Sequence, residues 1–290
     1  MKPRTKNVSY SSYKKRVISK LSQVKTWAGN GVFKRQGCYS KPYILPLEGE
    51  NNPRNRAKAI EKYLGFDCST YFPTGLGLHQ YAHHLNSSQT LCLMFFSRLI
   101  EEKQITNFIK NAFGIEMHEG AEVHFEYRQD SPISDKESRY QFIINGNVEY
   151  EGTSFDFHIQ DGHTEIFFEI KFTEDGFGKA ANDARHKCKA KQYQNLLPED
   201  IRIKTTQDDI LKFYQLFRNI IRVDQKNKYV IFITDANNPS TNRDICKFKK
   251  LIDCDLSPMH IQFKTWQELS EIYRTFAELP LQFNAILTQQ

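Results

Sequence analysis

The stretch Ser154-Phe155-Asp156-Phe157-His158-Ile159-Gln160-Asp161-Gly162-His163-Thr164-Glu165-Ile166-Phe167-Phe168-Glu169-Ile170-Lys171 decides the fold. Its first half alternates. Phe155, Phe157 and Ile159 occupy one set of positions, and Ser154, Asp156 and His158 the other. Successive side chains of an extended chain point to opposite faces, so this alternation predicts a half-buried strand. Asp161-Gly162 reads as a hairpin turn, because such turns need positive φ. Residues 165–172 then read as a second strand, rich in Phe and Ile. On it Phe167, Glu169 and Lys171 share one face, and Ile166, Phe168, Ile170 and Phe172 the other.

Two registers are open. With a two-residue turn, Gln160 pairs with His163 and Asp156 lies opposite Phe167. Glu169 is then the diagonal neighbour of Asp156, roughly 7–8 Å away. A loop longer by two residues sets Asp156 and Glu169 directly opposite each other. Both registers are expected to place Asp156, Glu169 and Lys171 on one surface. A slip of one residue would not, and the apolar alternation makes that slip costly.

The chemistry of the set is coherent. Two carboxylates with the converging backbone carbonyl of Ile170 suit a hard cation such as Mg²⁺, with Mn²⁺ as a substitute. Such a cation lowers the pKa of water and polarises a phosphoryl oxygen. A lysine one pleat further along can stabilise charge in the transition state. The bare triplet acidic-x-Lys carries little weight, since it recurs at Glu101-x-Lys103 and Asp224-x-Lys226. Surface strands also carry Glu and Lys simply as a solvated face. The copy at 169–171 differs by its hairpin, its upstream aspartate and its apolar reverse face.

At Ser154-Phe155-Asp156 and Glu169-Ile170-Lys171 the chain resembles the PD-(D/E)xK nuclease superfamily, with Phe155 where the family usually has proline. It is also similar to a bacterial group of restriction-endonuclease-like proteins. The segments that carry this are His83-His84-Leu85-Asn86-Ser87-Ser88-Gln89, residues 151–171 and residues 229–235. The resemblance implies a central mixed β-sheet flanked by helices and a Mg²⁺-dependent DNA endonuclease. It further implies that Asp156 and Glu169 bind metal and that Lys171 is catalytic. Two family features differ. Gln89, not glutamate, stands in the first turn of the helix before the sheet, where an accessory acidic residue is common. No Gln-x-x-x-Tyr spacing occurs between Lys179 and Leu197.

Composition sets outer limits. The 290 residues suffice for one large α/β domain with extensions. No apolar run approaches the ~20 residues of a membrane span, and no apolar segment follows the basic N-terminus as in a secretory signal. The six cysteines lack framework spacing, which suits a reducing cytoplasm. Cys246 with Cys254, or His79, His83 and His84, are conceivable zinc ligands, but no Cys-x-x-Cys pair or His-Glu-x-x-His helix supports them.

Net charge is +6, yet residues 1–47 hold eleven Lys/Arg and no Asp or Glu. Tyr10, Tyr13, Trp27, Phe33 and Tyr39 interleave with them. Residues 1–50 thus read as a basic arm for phosphates and bases, or as a solvated tail, ahead of a nuclease-like domain at 51–290.

Helices are expected at 14–27, 54–64, 87–109, 179–197, 207–223 and 265–276. Strands are expected at 121–128, 140–150, 229–234 and 261–263. Inward positions on the first strand are Val123, Phe125 and Tyr127, with Glu122, His124 and Glu126 outward. Residues 173–178 read as a flexible loop beside the site, and 235–243 as a loop. Lys179, Arg185, Lys187, Lys189 and Lys191 form a basic helix that either contacts DNA or faces water. Gln215, Arg218 and Arg222 share a face of the next helix.

Alternating strands and helices give an α/β fold. The expected protein is a cytoplasmic, metal-dependent endodeoxyribonuclease whose partner is DNA. A homodimer would supply two sites for double-strand cleavage. The rival expectation is a non-catalytic nucleic-acid-binding module on the same fold.

Overall fold

The computed structural model describes residues 8–23, 41–72, 78–128, 141–144, 147–150, 154–221, 227–253, 256, 260–279 and 283. Trp27, Phe33 and Tyr39 of the basic arm, the loop at 129–137, Asn145-Gly146, Arg222 and Cys254 lie outside these residues.

The N-terminal half supplies α1 (Tyr10–Gln23), α2 (Pro53–Leu64), α3 (Cys68–Tyr71), α4 (Ser88–Glu101) and α5 (Ile105–Phe113). Strands β1 (Glu122–Arg128), β2 (Gln141–Ile144), β3 (Asn147–Tyr150), β4 (Ser154–Gln160) and β5 (Glu165–Ile170) follow. The remainder is α6 (Ala184–Leu196), α7 (Glu199–Arg202), α8 (Gln207–Lys212), α9 (Tyr214–Ile220), β6 (Lys228–Thr234), α10 (Pro239–Ile252), β7 (Ile261–Thr265) and α11 (Trp266–Tyr273).

Five strands form one mixed sheet in the order β1-β4-β5-β6-β7, and β2-β3 form a separate hairpin ladder. The β1/β4 and β4/β5 pairs are antiparallel, while β5/β6 and β6/β7 are parallel. Both sheet faces are covered. One core joins Phe157, Phe168, Ile170 and Ile233 to α1, α4, α5 and α11. The other joins Phe155, Phe167, Val230 and Phe232 to α6, α8, α9 and α10. This is the mixed, helix-flanked α/β core expected from the sequence. Burial on both faces explains why β6 is apolar almost throughout.

The longer of the two hairpin registers is the one observed. Gln160 pairs with Glu165 and Phe157 with Phe168, where the ladder ends. The connection is 161–164, because the Asp161 carboxylate accepts from the backbone N–H of His163 (2.9 Å) and Thr164 (2.7 Å). Gly162 takes the positive φ, +83°.

The uniform alternation of β4 is not observed. Phe157 stacks on Phe96 at 4.1 Å in the first core, whereas Phe155 meets Phe167 at 4.8 Å in the second. The β1/β4 ladder runs through Phe125↔Phe157, resumes at Tyr127↔Phe155, and lacks the pair between them. There Glu126 has φ +50°, a left-handed value rare for a side-chain-bearing residue. The register is the same on both sides of this kink, so no residue is inserted, and β1 and β4 change face together, with Phe125 and Phe157 in the first core and Tyr127 and Phe155 at the second.

Three other boundaries differ from the sequence reading. The helix expected at 87–109 is two helices, broken at Lys103 (φ +54°). The helix expected at 207–223 breaks at Phe213. The loop expected at 235–243 gives way to α10, since Asn238 caps the N–H groups of Ser240 and Thr241 and Pro239 opens the helix.

Candidate active site

The kink in β4 creates the site. Beyond Phe157, β4 no longer ladders with β5. On β5 the Lys171 N–H donates to Ile233 of β6 (2.8 Å), so the Ile170 N–H faces β4. It donates to Asp156 Oδ2 at 2.6 Å. A carboxylate thus takes the place of a strand carbonyl at the fork between the two strands. Cys92 of α4 sits 3.6 Å from the Asp156 carbonyl and closes the fork from below.

Glu169 lies buried on the other side of the fork, 3% exposed. Three donors hold its carboxylate: Lys171 Nζ at 2.7 Å and Gln215 Nε2 at 2.5 Å on Oε1, and Asn219 Nδ2 at 2.9 Å on Oε2. Gln215 and Asn219 are i and i+4 on α9, so their amides reach one carboxylate together. Of the face expected as Gln215, Arg218 and Arg222, Gln215 reaches the site, and Arg222 lies outside the described residues. Asn219 was missed, although its spacing from Gln215 was readable.

The electrostatics are unequal. Burial pushes the Asp156 carboxyl well above its ordinary range, and the neighbouring Glu169 and Glu126 push it further. Lys171 and the Ile170 N–H oppose this without overcoming it. Burial disfavours charge on Lys171, but Glu169, Glu174 and Asp156 outweigh it and hold the ammonium above its usual value. Ionising Asp156 would therefore leave the site with more carboxylate charge than Lys171 balances.

Glu126, expected to point outward, instead lines a cleft of about 530 Å³ together with Asp156, Gln89, Thr173 and Glu174. Its left-handed backbone turns it there, and Ser154 Oγ donates to it at 3.1 Å. No local sequence signal marks that conformation. Gln89 sits at the cleft wall, 5% exposed, with its amide oxygen taken by the His79 N–H at 2.8 Å.

The backbone just after Lys171 is held from four directions. Trp266 Nε1 donates to the Lys171 carbonyl (3.3 Å). Tyr13 Oη and Asn238 Nδ2 each lie 2.9 Å from the Phe172 carbonyl. Tyr10 Oη donates to the Thr173 carbonyl (2.7 Å), and Asn238 also reaches Glu174 (2.9 Å). Ser240 and the Phe177 N–H add ties to Asp175 and Asp244. The loop expected to be flexible is thus pinned. Tyr13 Oη also sits 2.8 Å from buried Asp235 Oδ2. Tyr13→Phe deprives that carboxylate of a donor, and a loss of about 1–3 kcal/mol is expected. Urea unfolding at neutral pH measures it; an unchanged midpoint would show that the contact is energetically empty.

The basic helix starts later than expected, because Asp183 caps it through the His186 N–H. Lys179 precedes it. Lys179, Arg185, Lys187 and Lys191 are exposed, whereas Lys189 turns inward beside Ala190 and Tyr193.

A mixed sheet forked at an aspartate, with a buried Glu-x-Lys on the next strand, defines a restriction-endonuclease-like α/β protein. The chain belongs to the family described as Restriction Endonuclease associating with ARP, which matches residues 19–283. No curated protein and no solved structure matches it. No described helix is long and apolar enough to cross a membrane.

Proposed function

We propose that this protein is a Mg²⁺-dependent DNA endonuclease with Asp156, Glu169 and Lys171 as its catalytic set. The observation that carries the reading is the meeting of these three groups at the strand fork, where burial, Glu169 and Glu126 disfavour charge on Asp156 unless a cation offsets it. Membership of a restriction-endonuclease family supports a nucleic acid as substrate.

The donor set fits the cation. Among the described residues, no three His, Cys, Asp or Glu side chains are grouped to hold a metal by themselves. Mg²⁺ asks for less, since it uses one or two carboxylates and fills the rest with water and substrate phosphate. Asp156, Glu169 and the Ile170 carbonyl would hold it. When bound, it would polarise the phosphoryl oxygen and make water more acidic.

The chain's own residues do the rest. Gln215 and Asn219 fix the Glu169 carboxylate. Lys171 places a permanent positive charge beside the phosphate, where it favours the more highly charged transition state. As the water oxygen bonds to phosphorus, the bond to the 3′ oxygen breaks; the attacking water gives up a proton to solvent, and the 3′ oxygen takes one from solvent and leaves as a hydroxyl. Exposed Arg185, Lys187 and Lys191 would steer the polyanion. Free thiols on Cys68, Cys92, Cys188 and Cys246 support a cytoplasmic setting. A second copy of the chain would supply the second cut of a duplex.

Supercoiled plasmid tests the reading. Wild type is expected to nick or linearise it in Mg²⁺ or Mn²⁺ and not in EDTA. Lys171→Ala is expected to lose about 10²–10³-fold in rate. Retarded but uncut plasmid would replace the enzyme by a nucleic-acid-binding module. Equal rates from both proteins would remove Lys171 from the mechanism.

A further inference from the structure

The cleft that opens on Asp156 and Glu126 is lined on its far side by rings. His79 and Tyr81 lie 5.2 Å apart, Tyr81 and His84 5.2 Å apart, and Tyr43 meets His84 edge-on at 5.9 Å. All four side chains border the same cleft as Asp156. Lys14 of α1 lies on its wall, and Asn86 and Ser88 add polar groups. At about 530 Å³ the cleft falls in the range of small-molecule sites, and one nucleotide fits it where a duplex does not.

The rings are suited to a base, not to a phosphate. Burial holds His79 below its ordinary value and pushes His84 down to about 4, with Lys41 adding to the effect. Both imidazoles are therefore neutral rings near pH 7, with nothing to offer an anion beyond one N–H each. Stacking surfaces of this kind accept any base, since every base has a π-face. A paired base cannot reach such a wall without leaving its helix.

We infer that the cleft takes one unpaired nucleotide of a DNA strand, its base stacked on Tyr81 and bordered by His79, His84 and Tyr43, and its phosphate directed to Asp156. The inference rests on the proposed hydrolytic role of Asp156 and narrows it. The preferred substrate is DNA with a single-stranded, flapped or mismatched nucleotide beside the cut. Lys14 supplies the cleft's cation for a flanking phosphate.

Fluorescence of 2-aminopurine reads the cleft directly, because stacking quenches it. The Lys171→Ala protein in Mg²⁺ is titrated with a short single strand carrying the probe, and with the same strand fully paired. Quenching of the single strand and preference for it are expected. Tyr81→Ala in that background should weaken binding about tenfold or more, and Tyr81→Phe should restore it. Tyr43→Ala gives a second reading if Tyr81→Ala fails to fold, as judged by circular dichroism. Equal affinity for the paired strand, or no change with either alanine, overturns the inference. Plasmid cleavage by wild type separates the two claims. Nicking without any dependence on the rings removes the base site and keeps the nuclease. Ring-dependent quenching without nicking keeps the base site and removes the nuclease.

Discussion

Asp156→Asn is expected to make the metal-free protein more stable while removing Mg²⁺-dependent cleavage. The two effects share one cause. The Asp156 carboxyl is held above its ordinary range by burial and by Glu169 and Glu126, so ionising it costs the folded state more than the unfolded one. The sign follows from linkage. Between the unfolded and folded values the native protein holds a proton that the unfolded chain has released, so wild-type stability falls as pH rises through that window. Asparagine carries no such penalty and still offers an oxygen to the Ile170 N–H, which Asp156 accepts at 2.6 Å.

The gain is about 0.5–2 kcal/mol, the usual scale on which function opposes stability. It corresponds to a few degrees of melting temperature, at about 2–4 °C per kcal/mol. Thermal melts in EDTA measure it. The variant should exceed wild type at pH 8, and the gap should close near pH 4. Added Mg²⁺ should raise the wild-type melting temperature and leave the variant where it is. A variant that melts at or below wild type at pH 8 would mean that the Asp156 charge is compensated.

Glu169→Ala should have the opposite effect on stability and the same effect on cleavage. Glu169 is 3% exposed and accepts from Lys171, Gln215 and Asn219. Removing it leaves an ammonium with 12% side-chain exposure and two amides facing a gap. Breaking a buried ion pair from one side costs about 3–5 kcal/mol. Urea unfolding should show a lower midpoint with an unchanged slope. Glu169→Gln is the milder control, because it keeps the volume and loses only the charge. If Glu169→Ala unfolds at the wild-type midpoint, the network is not holding the fold together. The opposite signs expected at Asp156 and Glu169 separate two carboxylates that one motif treats alike.

Much of this site was legible because its signals are local. Asp161-Gly162 marks a turn wherever it falls, and the Phe/Ile runs of β5 and β6 announce strands buried on both faces. The triplet Glu169-Ile170-Lys171 stood out by its setting. What stayed hidden is set by distant partners. Nothing near Glu126 announces a left-handed backbone, yet that one angle moves Phe155 and Phe157 to opposite cores and brings Glu126 to the cleft. Lys103 ends α4 in the same unsignalled way. By contrast, the start of α10 was readable in Asn238-Pro239 and was passed over. The clamp on Glu169 required knowing that α9 crosses that end of β5, which no periodicity of α9 contains.

Four side chains grip the backbone just beyond Lys171, and they come from segments far apart in the chain. Tyr10 and Tyr13 precede every strand of the sheet in the chain, and Asn238 and Trp266 follow β6 and β7. A chain still on the ribosome lacks the complete later pair until β7 has been made. Asp156, Glu169 and Lys171 are thus made well before two of the groups that hold the backbone beside them, and a chain cut short after β6 would carry the three without that support.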